Sequence, residues 1–536
     1  MTRKPFIPSL RRLGAVIAVA AMAGAGAVSA QQISAFQQVL AAASARDDAV
    51  GAFYRTNGYQ PIWTGESQIE RQRRAALIDA IAQAPLYGLP VARYDLPGLK
   101  ARMASARTMT DMARVEAELS ATLVEFATNM QFGALKPGRV DSDIKRKVPY
   151  TDPMLYLTQF QQMSPAAFFR SLPPKSPEFR ALMKQKLIFE DELAAGGWGA
   201  TVRASKLEPG DTGTAVVALR DRLVRMGYLD RTLTANYDAT MKAAVERFQE
   251  DHGLTVDGVV GGDTLAEINV SMDDRLRSII VAMERERWTN MPRGERHIWV
   301  NLTDFTAKVV DDGKVTFVTR AVIGANSSDR RSPEFSDEME YMVVNPSWYV
   351  PRSIVTKEYL PKLQRNPNAA SHLEITDSRG RQINRGAVNF AAYTARSFPF
   401  SMRQPPSSRN ALGLVKFMFP NPYNIYLHDT PQKALFDREV RAFSHGCIRL
   451  AQPFDLAYVL LSRQTADPEA VFQAALNTGK ETKITLDRKV PVHLVYRTAL
   501  ADERGHIGYR RDMYGRDGEI WDALAAQGVS LRAQGS

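Results

Sequence analysis

The hydrophobic period of this chain changes near His297, and that change constrains the fold more than any other feature. Upstream, segments such as 75–84 and 112–130 carry apolar residues at helical spacing. Breakers divide them: Gly88-Leu89-Pro90, Lys136-Pro137-Gly138, Pro173-Pro174 and Gly196-Gly197. From His297 the period becomes two. Ile298, Val300 and Leu302 alternate with Trp299, Asn301 and Thr303, and Val315, Phe317 and Thr319 run on to Ala321 and Ile323. Val490, Val492, Leu494 and Tyr496 repeat the pattern near the end. Such alternation marks half-buried strands. The expected class is therefore multi-domain α+β, with a helical scaffold over 31–200 and a mainly β domain over 285–500. A length of 536 residues accommodates this, since about 150 residues per domain implies roughly three or four units.

Three further segments have their own character. Within 207–270, Val216, Leu219, Leu223 and Met226 form one helical face that Gly227 stops. Asp238 then fits as the N-cap of a second helix with Met241, Val245 and Phe248 inward. A glycine turn from Asp257 to Leu265 leads into a third short helix. The stretch 351–406 is polar, rich in proline and arginine and weakly periodic, and is expected to be a capping insertion lying over the sheet as a long lid-like loop. The tail, 510–528, reads as an amphipathic helix with Asp517 as a possible N-cap and Ile520, Trp521 and Leu524 inward, docking on the helical scaffold.

The first 30 residues alter how the composition reads. Arg3, Lys4, Arg11 and Arg12 precede an apolar run from Leu13 to Ala27, and Val28-Ser29-Ala30 supplies a small-residue cleavage site. That order is a signal peptide over 1–30, which implies export. Formal net charge is +11. Setting the signal aside leaves 65 basic against 58 acidic residues, or +7. This modest excess calls for no nucleic acid. The composition, 45% hydrophobic and 24% charged, excludes a collagenous or disordered chain. There is one cysteine, Cys447, so no intramolecular disulfide forms and no multi-thiolate metal site is possible. An unpaired thiol in an exported protein is either a bland buried group or a reactive one.

Cys447 lies in Ser444-His445-Gly446-Cys447-Ile448-Arg449-Leu450. Gly446 allows close backbone approach, and Pro453 opens a helix directly afterwards, so the thiol is placed at a junction between elements. A thiol of ordinary pKa ~8.5 needs an imidazole to act near neutral pH. His428 is the best candidate of seven histidines. In Tyr423–Pro431, Tyr423, Ile425 and Leu427 would form one face of a strand, with Asn424, Tyr426 and His428 on the other. His252, His297, His372, His493 and His506 receive no role. Trp348 and Tyr349, where the insertion begins, either line a cleft or pack among aromatics.

Two resemblances follow from these residues. The unit 207–270 resembles the three-helix peptidoglycan-binding domain, through Gly227-Tyr228-Leu229, Phe248-Gln249 and an Asp-Gly-x-x-Gly-x-x-Thr run in which Asp257, Gly258, Gly261 and Thr264 are the motif residues. His428, fifteen intervening residues and Ser444-His445-Gly446-Cys447 resemble the signature of the L,D-transpeptidase catalytic domain. The runs 410–413 and 416–421 agree, and Arg449 stands where that family usually has Asn. The arrangement is similar to the large multi-domain branch of the family.

The resemblance implies an exported enzyme, periplasmic and associated with the cell wall. It would act by cysteine acyl transfer on a donor tetrapeptide stem of peptidoglycan, with a neighbouring stem amine as acceptor, to form 3→3 cross-links. Cys447 would be the nucleophile and His428 the base. Gly446 and Cys447 N–H groups would be the oxyanion donors, with Tyr426 hydroxyl a further candidate. Ser444, His445 and Arg449 complete the expected substrate surroundings; His445 is either ligand-facing or a structural donor, and Arg449 either binds a stem carboxylate or pairs with a local acid. Neither metal nor cofactor is implied. A monomer that meets other cell-wall synthesis enzymes is expected. Hydrolysis of the same stems by an L,D-carboxypeptidase shares the acyl-enzyme and stays open. A non-catalytic wall-binding scaffold is disfavoured by the intact His428/Cys447 pair, and a papain-like protease by the order of its catalytic residues.

Overall fold

A computed structural model describes residues 34–502 and 504–531. The segment read as a signal peptide, 1–30, lies outside the described residues. Among the described residues no helix is long and apolar enough to cross a membrane.

The N-terminal helices pack around one long helix, Met109–Phe132. Its start is set by a capping box in which Thr108 Oγ1 accepts from the Asp111 N–H and Asp111 accepts from the Thr108 N–H. Buried Glu116 on this helix accepts from Tyr54 Oη at 2.7 Å and from the backbone N–H groups of Ile62, Trp63 and Thr64. A carboxylate with that many donors is one of the few charged groups a core tolerates. It fixes the aromatic stretch around Phe53, Tyr54 and Trp63, all buried, as core rather than surface.

Helices Thr214–Arg225, Ala239–Asp251 and Gly262–Ile268 form a separate small core from Val216, Leu219, Leu223, Met241, Val245 and Phe248. Asp238 caps the second of them through the Met241 N–H at 2.9 Å. The next helix, Met272–Trp288, returns to the first core, where Leu276, Ile279, Met283 and Trp288 are buried. This corrects the expected start of the β domain at 285: residues 285–288 are the last turn of a scaffold helix, where Trp288 packs in the scaffold core and Arg287 donates to the Met130 carbonyl. The tail helix Arg516–Ala525 adds Ile520 and Leu524 to the same core. Its N-cap is Gly515, with φ +77°, and not Asp517. Asp517 is inside the first turn and buried, where it meets Arg285 at 3.2 Å and the Thr498 hydroxyl. A buried guanidinium claims the carboxylate ahead of the helix end. Arg285 and Arg516 also reach Glu334, at 2.8 and 3.3 Å, and so bolt the scaffold to the β domain.

In the β domain the strands are β1 (Arg296–Asn301), β2 (Thr306–Asp311), β3 (Lys314–Gly324) and β4 (Phe335–Val344). Three short strands follow in the insertion, β5 (Trp348–Tyr349), β6 (Glu374–Thr376) and β7 (Ser401–Gln404). Then come β8 (Val415–Met418), β9 (Leu427–His428), β10 (Ala442–Ser444), β11 (Ile448–Leu450) and β12 (Thr482–Val495). The large sheet runs β10-β3-β11-β9-β8-β4-β12-β1-β2, and β2 also pairs with β3. The sheet therefore closes on itself, which removes most of its free edge. Ile298, Val300, Val492 and Leu494 fill its core with Phe417, Leu427 and Ile448.

The insertion is not a lid-like loop. Strands β5, β6 and β7 form a small sheet of their own, and Leu360, Leu363, Ile375, Phe390, Phe398 and Met402 make a separate apolar core. Aromatic and aliphatic residues spaced too irregularly for one period still converge once short helices and strands alternate. The capping segment is thus a folded subdomain.

Candidate active site

Between this cap and the barrel lies a cavity of about 1000 Å³. Cys447, Tyr426, His428, Ser444, His445 and Arg449 all line it. Trp348 and Tyr349 line it from the cap, as does His372, to which sequence reading gave no role. Trp348 also packs edge-on against Tyr359.

Two short strands place the chemistry. β9 and β11 are parallel, with Leu427 opposite Ile448 and His428 opposite Arg449. The Ile448 N–H donates to the Tyr426 carbonyl at 3.1 Å. Ile448 and Leu450 turn into the barrel core while half-buried Cys447 and Arg449 face the cavity. β9 is shorter than the alternation of Tyr423–His428 suggested. Asn424 has φ +56°, and Asn421 Oδ1 accepts from the N–H groups of Tyr423 and Ile425, so this stretch is a turn and only Leu427–His428 is strand. The turn matters, because the Cys447 thiol donates to the Asn424 carbonyl at 3.4 Å.

The loop before Cys447 is held by its own residues. Gly446 has φ +112°, a region that glycine alone occupies easily. Ser444 Oγ donates to the Cys447 carbonyl at 2.6 Å and accepts from the Gly446 N–H at 3.1 Å. That bond corrects the expectation that the Gly446 N–H would serve as an oxyanion donor: it is already engaged. None of the hydrogen bonds among the described residues uses the Cys447 N–H. Beneath the loop, Ser332 Oγ donates to the Gly446 carbonyl at 2.7 Å, and Tyr514 from the tail donates to the Gly324 carbonyl at 2.6 Å. His445 extends to the cap, where its Nε2 meets Glu358 Oε1 at 2.5 Å. Arg330 reaches the same oxygen at 2.7 Å.

The surroundings of the Cys447 thiol and the His428 imidazole favour the neutral form of each. Burial pushes the Cys447 thiol up to about 11, against which Tyr426 and the Arg449 charge work in the opposite direction. Burial pushes the His428 imidazole down to about 3, and the Arg449 charge adds to that effect. His428 Nδ1 contacts the Asp429 carbonyl at 2.5 Å. A carbonyl only accepts, so Nδ1 carries the hydrogen and Nε2 keeps its lone pair. No hydrogen bond among the described residues joins His428 to Cys447, and a resting thiolate–imidazolium pair is not present. Arg449 makes no pair with an acid among the described residues; it donates to Gln432 Oε1 at 2.6 Å.

The four residues of the glycine turn lie apart from this cavity. Asp257 and Thr264 accept from the buried Gln249 amide at 2.8 and 3.2 Å, and Gln249 Oε1 accepts from the N–H groups of Asp257 and Gly258. Gly258 has φ +67°, and a Cβ there would stand 2.6 Å from Lys242. Gly261 precedes the third helix as its N-cap. This cluster shapes a turn.

Residues 295–484 match the family model of the L,D-transpeptidase catalytic domain. The chain carries an L,D-transpeptidase catalytic domain. Ahead of this L,D-transpeptidase domain, residues 212–268 match the family described as "Putative peptidoglycan binding domain" and residues 48–185 match the scaffold domain. A Haemophilus influenzae protein named "Putative L,D-transpeptidase" is 32% identical over 252 residues, covering 46% of this chain and 50% of that protein. The chain thus spans about half the length of that curated relative. Among solved structures, an L,D-transpeptidase from Xylanimonas cellulosilytica is 15% identical, covering 55% of this chain and 98% of that one, with a TM-score of 0.16. One from Stackebrandtia nassauensis is 14% identical, covering 55% and 97%, with a TM-score of 0.22. Superpositions this poor carry no argument about the L,D-transpeptidase domain.

Ser332, Glu358 and Tyr514 escaped the sequence reading, which places Asn424 on a strand face with no role of its own. Asn424 is adjacent to the motif and has a turn-favouring side chain, a signal that the apparent alternation obscured. The other three come from segments far along the chain, and no local pattern announces them.

Proposed function

We propose that the protein is an exported, periplasmic and cell-wall-associated L,D-transpeptidase that forms 3→3 cross-links between peptidoglycan stems through a Cys447 thioester. The observation that carries this reading is the shared cavity, in which Cys447 and a neutral His428 lie under a folded cap large enough to cover a peptide. In the first half-reaction Cys447 Sγ bonds to the attacked carbonyl carbon, and the carbon–nitrogen bond to the terminal residue breaks. The thiol proton passes through His428 Nε2 to the departing amine. In the second, the acceptor amine nitrogen bonds to the thioester carbon, the carbon–Sγ bond breaks, and His428 Nε2 takes the proton lost by the amine and passes it to Sγ. The Cys447 N–H and the Tyr426 hydroxyl are suited to hold the negative oxygen. Because thiol and imidazole start uncharged, the proton must leave as the bond forms, and the cap contributes by keeping competing water out. The peptidoglycan-binding unit supports a polymeric wall substrate.

The test is incubation with disaccharide tetrapeptides, wild type beside Cys447→Ala, followed by mass spectrometry. A cross-linked dimer made only by wild type is expected. Free tripeptide without dimer would replace transfer by hydrolysis, and full activity in Cys447→Ala would remove the thioester altogether.

A further inference from the structure

Tyr349, in β5, is 66% exposed. Of the large apolar side chains exposed on the described residues, it is the one that lines the cavity. Its ring is nevertheless fixed. The small sheet sets Tyr349 opposite Arg403 of β7, and the Arg403 guanidinium lies over the ring, 5.9 Å from its centroid. Arg403 is itself held, with Nη1 donating to Glu374 Oε2 and Nη2 to the Ser347 hydroxyl, each at 3.0 Å. A guanidinium over a ring adds attraction and restrains its tilt. The rest of the ring is left to the cavity and to water. An aromatic surface kept wet at the rim of a cavity marks a contact site for a ligand, and tyrosine supplies such contact at low cost in side-chain entropy.

The reach of the substrate says which part of it arrives there. In the acyl-transfer reading above, on which this inference rests, the attacked carbonyl belongs to the residue before the last of a tetrapeptide stem. Three residues then separate that carbonyl from the sugar that bears the stem, a span of at most about 10 Å. A stem with its carbonyl at Cys447 therefore holds its sugar close to the cavity and cannot leave it far out in solvent. A pyranose ring presents C–H groups on a flat face and hydroxyls on its edge. The negative face of an aromatic ring attracts such C–H groups. Ser353 and Arg409, also exposed along the cavity, offer hydrogen bonds to the edge. We propose that Tyr349 is a stacking platform for a pyranose ring of the glycan strand, so that the site prefers stems still attached to their sugar over free peptides. Tyr349 touches no reacting atom in this arrangement. It adds affinity and leaves the chemical step to Cys447 and His428.

The experiment is calorimetric binding to Cys447→Ala protein, with a disaccharide tetrapeptide compared with the same tetrapeptide acetylated at its N-terminus. The disaccharide form is expected to bind about 3- to 10-fold more tightly, the worth of one aromatic contact. Adding Tyr349→Ala should bring the two ligands within about twofold of each other and leave the acetylated peptide bound as before, which also shows that the variant is folded. Tyr349→Trp keeps a flat ring and should retain the preference. Equal binding of the two ligands to Cys447→Ala protein, a preference that survives Tyr349→Ala, or equal loss of both ligands in Tyr349→Ala would each overturn the platform. A sugar preference that depends on Tyr349, in a protein whose wild type forms no thioester, would support the platform and overturn the acyl-transfer reading instead.

Discussion

His428 stands across from Arg449, and not from Cys447, in the parallel pairing of β9 and β11. The thiol's hydrogen-bond partners are instead the Asn424 carbonyl and Tyr426. This arrangement leaves the His428 imidazole without a hydrogen bond to the thiol among the described residues, and burial favours the neutral form of both groups.

A neutral resting thiol has a direct signature. With Cys447 pushed up to about 11, its alkylation by iodoacetamide should rise about tenfold per pH unit from pH 7 to 10, following the thiolate fraction. A rate that is already flat above pH 6 would mean a resting ion pair. Tyr426 favours the thiolate, so Tyr426→Phe should slow alkylation at pH 8 by about 3- to 10-fold, the worth of one hydrogen bond. An unchanged or faster rate in Tyr426→Phe would remove that contact from the account.

Glu358 joins the cap to the Ser444–Cys447 loop through His445 and to the 325–332 loop through Arg330. These pairs are partly exposed, so Glu358→Ala should cost under about 1 kcal/mol of global stability. Its local effect should be larger. Amides of Val355–Tyr359 should exchange hydrogen several-fold faster than in wild type, roughly in line with the lost pairs. Unaltered exchange there would show that the apolar core of the cap alone holds it in place.

Gln249 concentrates the hydrogen bonds of the glycine turn in the small helical unit. Gln249→Ala leaves the buried Gly258 N–H unsatisfied and should destabilise that unit by about 2–3 kcal/mol. Thermal melting followed by limited proteolysis within 207–270 checks this. A melting profile equal to wild type would mean that the turn does not depend on the hub.

His493 gives a stability prediction with a definite sign. It is buried between the Ser336 hydroxyl at 2.7 Å and the Arg293 carbonyl at 2.9 Å, and burial lowers it to about 4. The unfolded chain takes up the proton first, near 6.5. Stability is therefore complete above about pH 6.5 and is lost as the pH falls toward 4, by about 1.4 kcal/mol per unit from this residue. His493→Gln should flatten that part of the slope in urea midpoints measured at pH 7 and 4.5. An undiminished slope would assign the acid sensitivity to other groups.

Local spacing carried much of this in the sequence. The change of period near His297 separates the helical core from the barrel, and the proximity of Tyr426 and His428 to Ser444–Cys447 along the chain allowed them to be considered together. What spacing does not encode is register. Nothing in 423–431 says that Asn424 takes a positive φ and shortens the strand to two residues, and nothing says which residue of β11 His428 will face. The cap was misread because its core is gathered from Leu360, Ile375, Phe390 and Met402, which follow no single period. Asp517 looked like a cap because a helix start attracts carboxylates; a guanidinium more than 200 positions away attracts it more strongly.

The central claim is that Cys447 becomes acylated by a peptidoglycan stem under the cap, and intact-protein mass spectrometry after brief mixing with a tetrapeptide stem tests it most directly. The account predicts an adduct equal to the stem without its terminal residue, located on Cys447, absent from Cys447→Ala and discharged when an acceptor amine is added. An unmodified protein that nevertheless releases the terminal residue, or an equal adduct on Cys447→Ala, would contradict it.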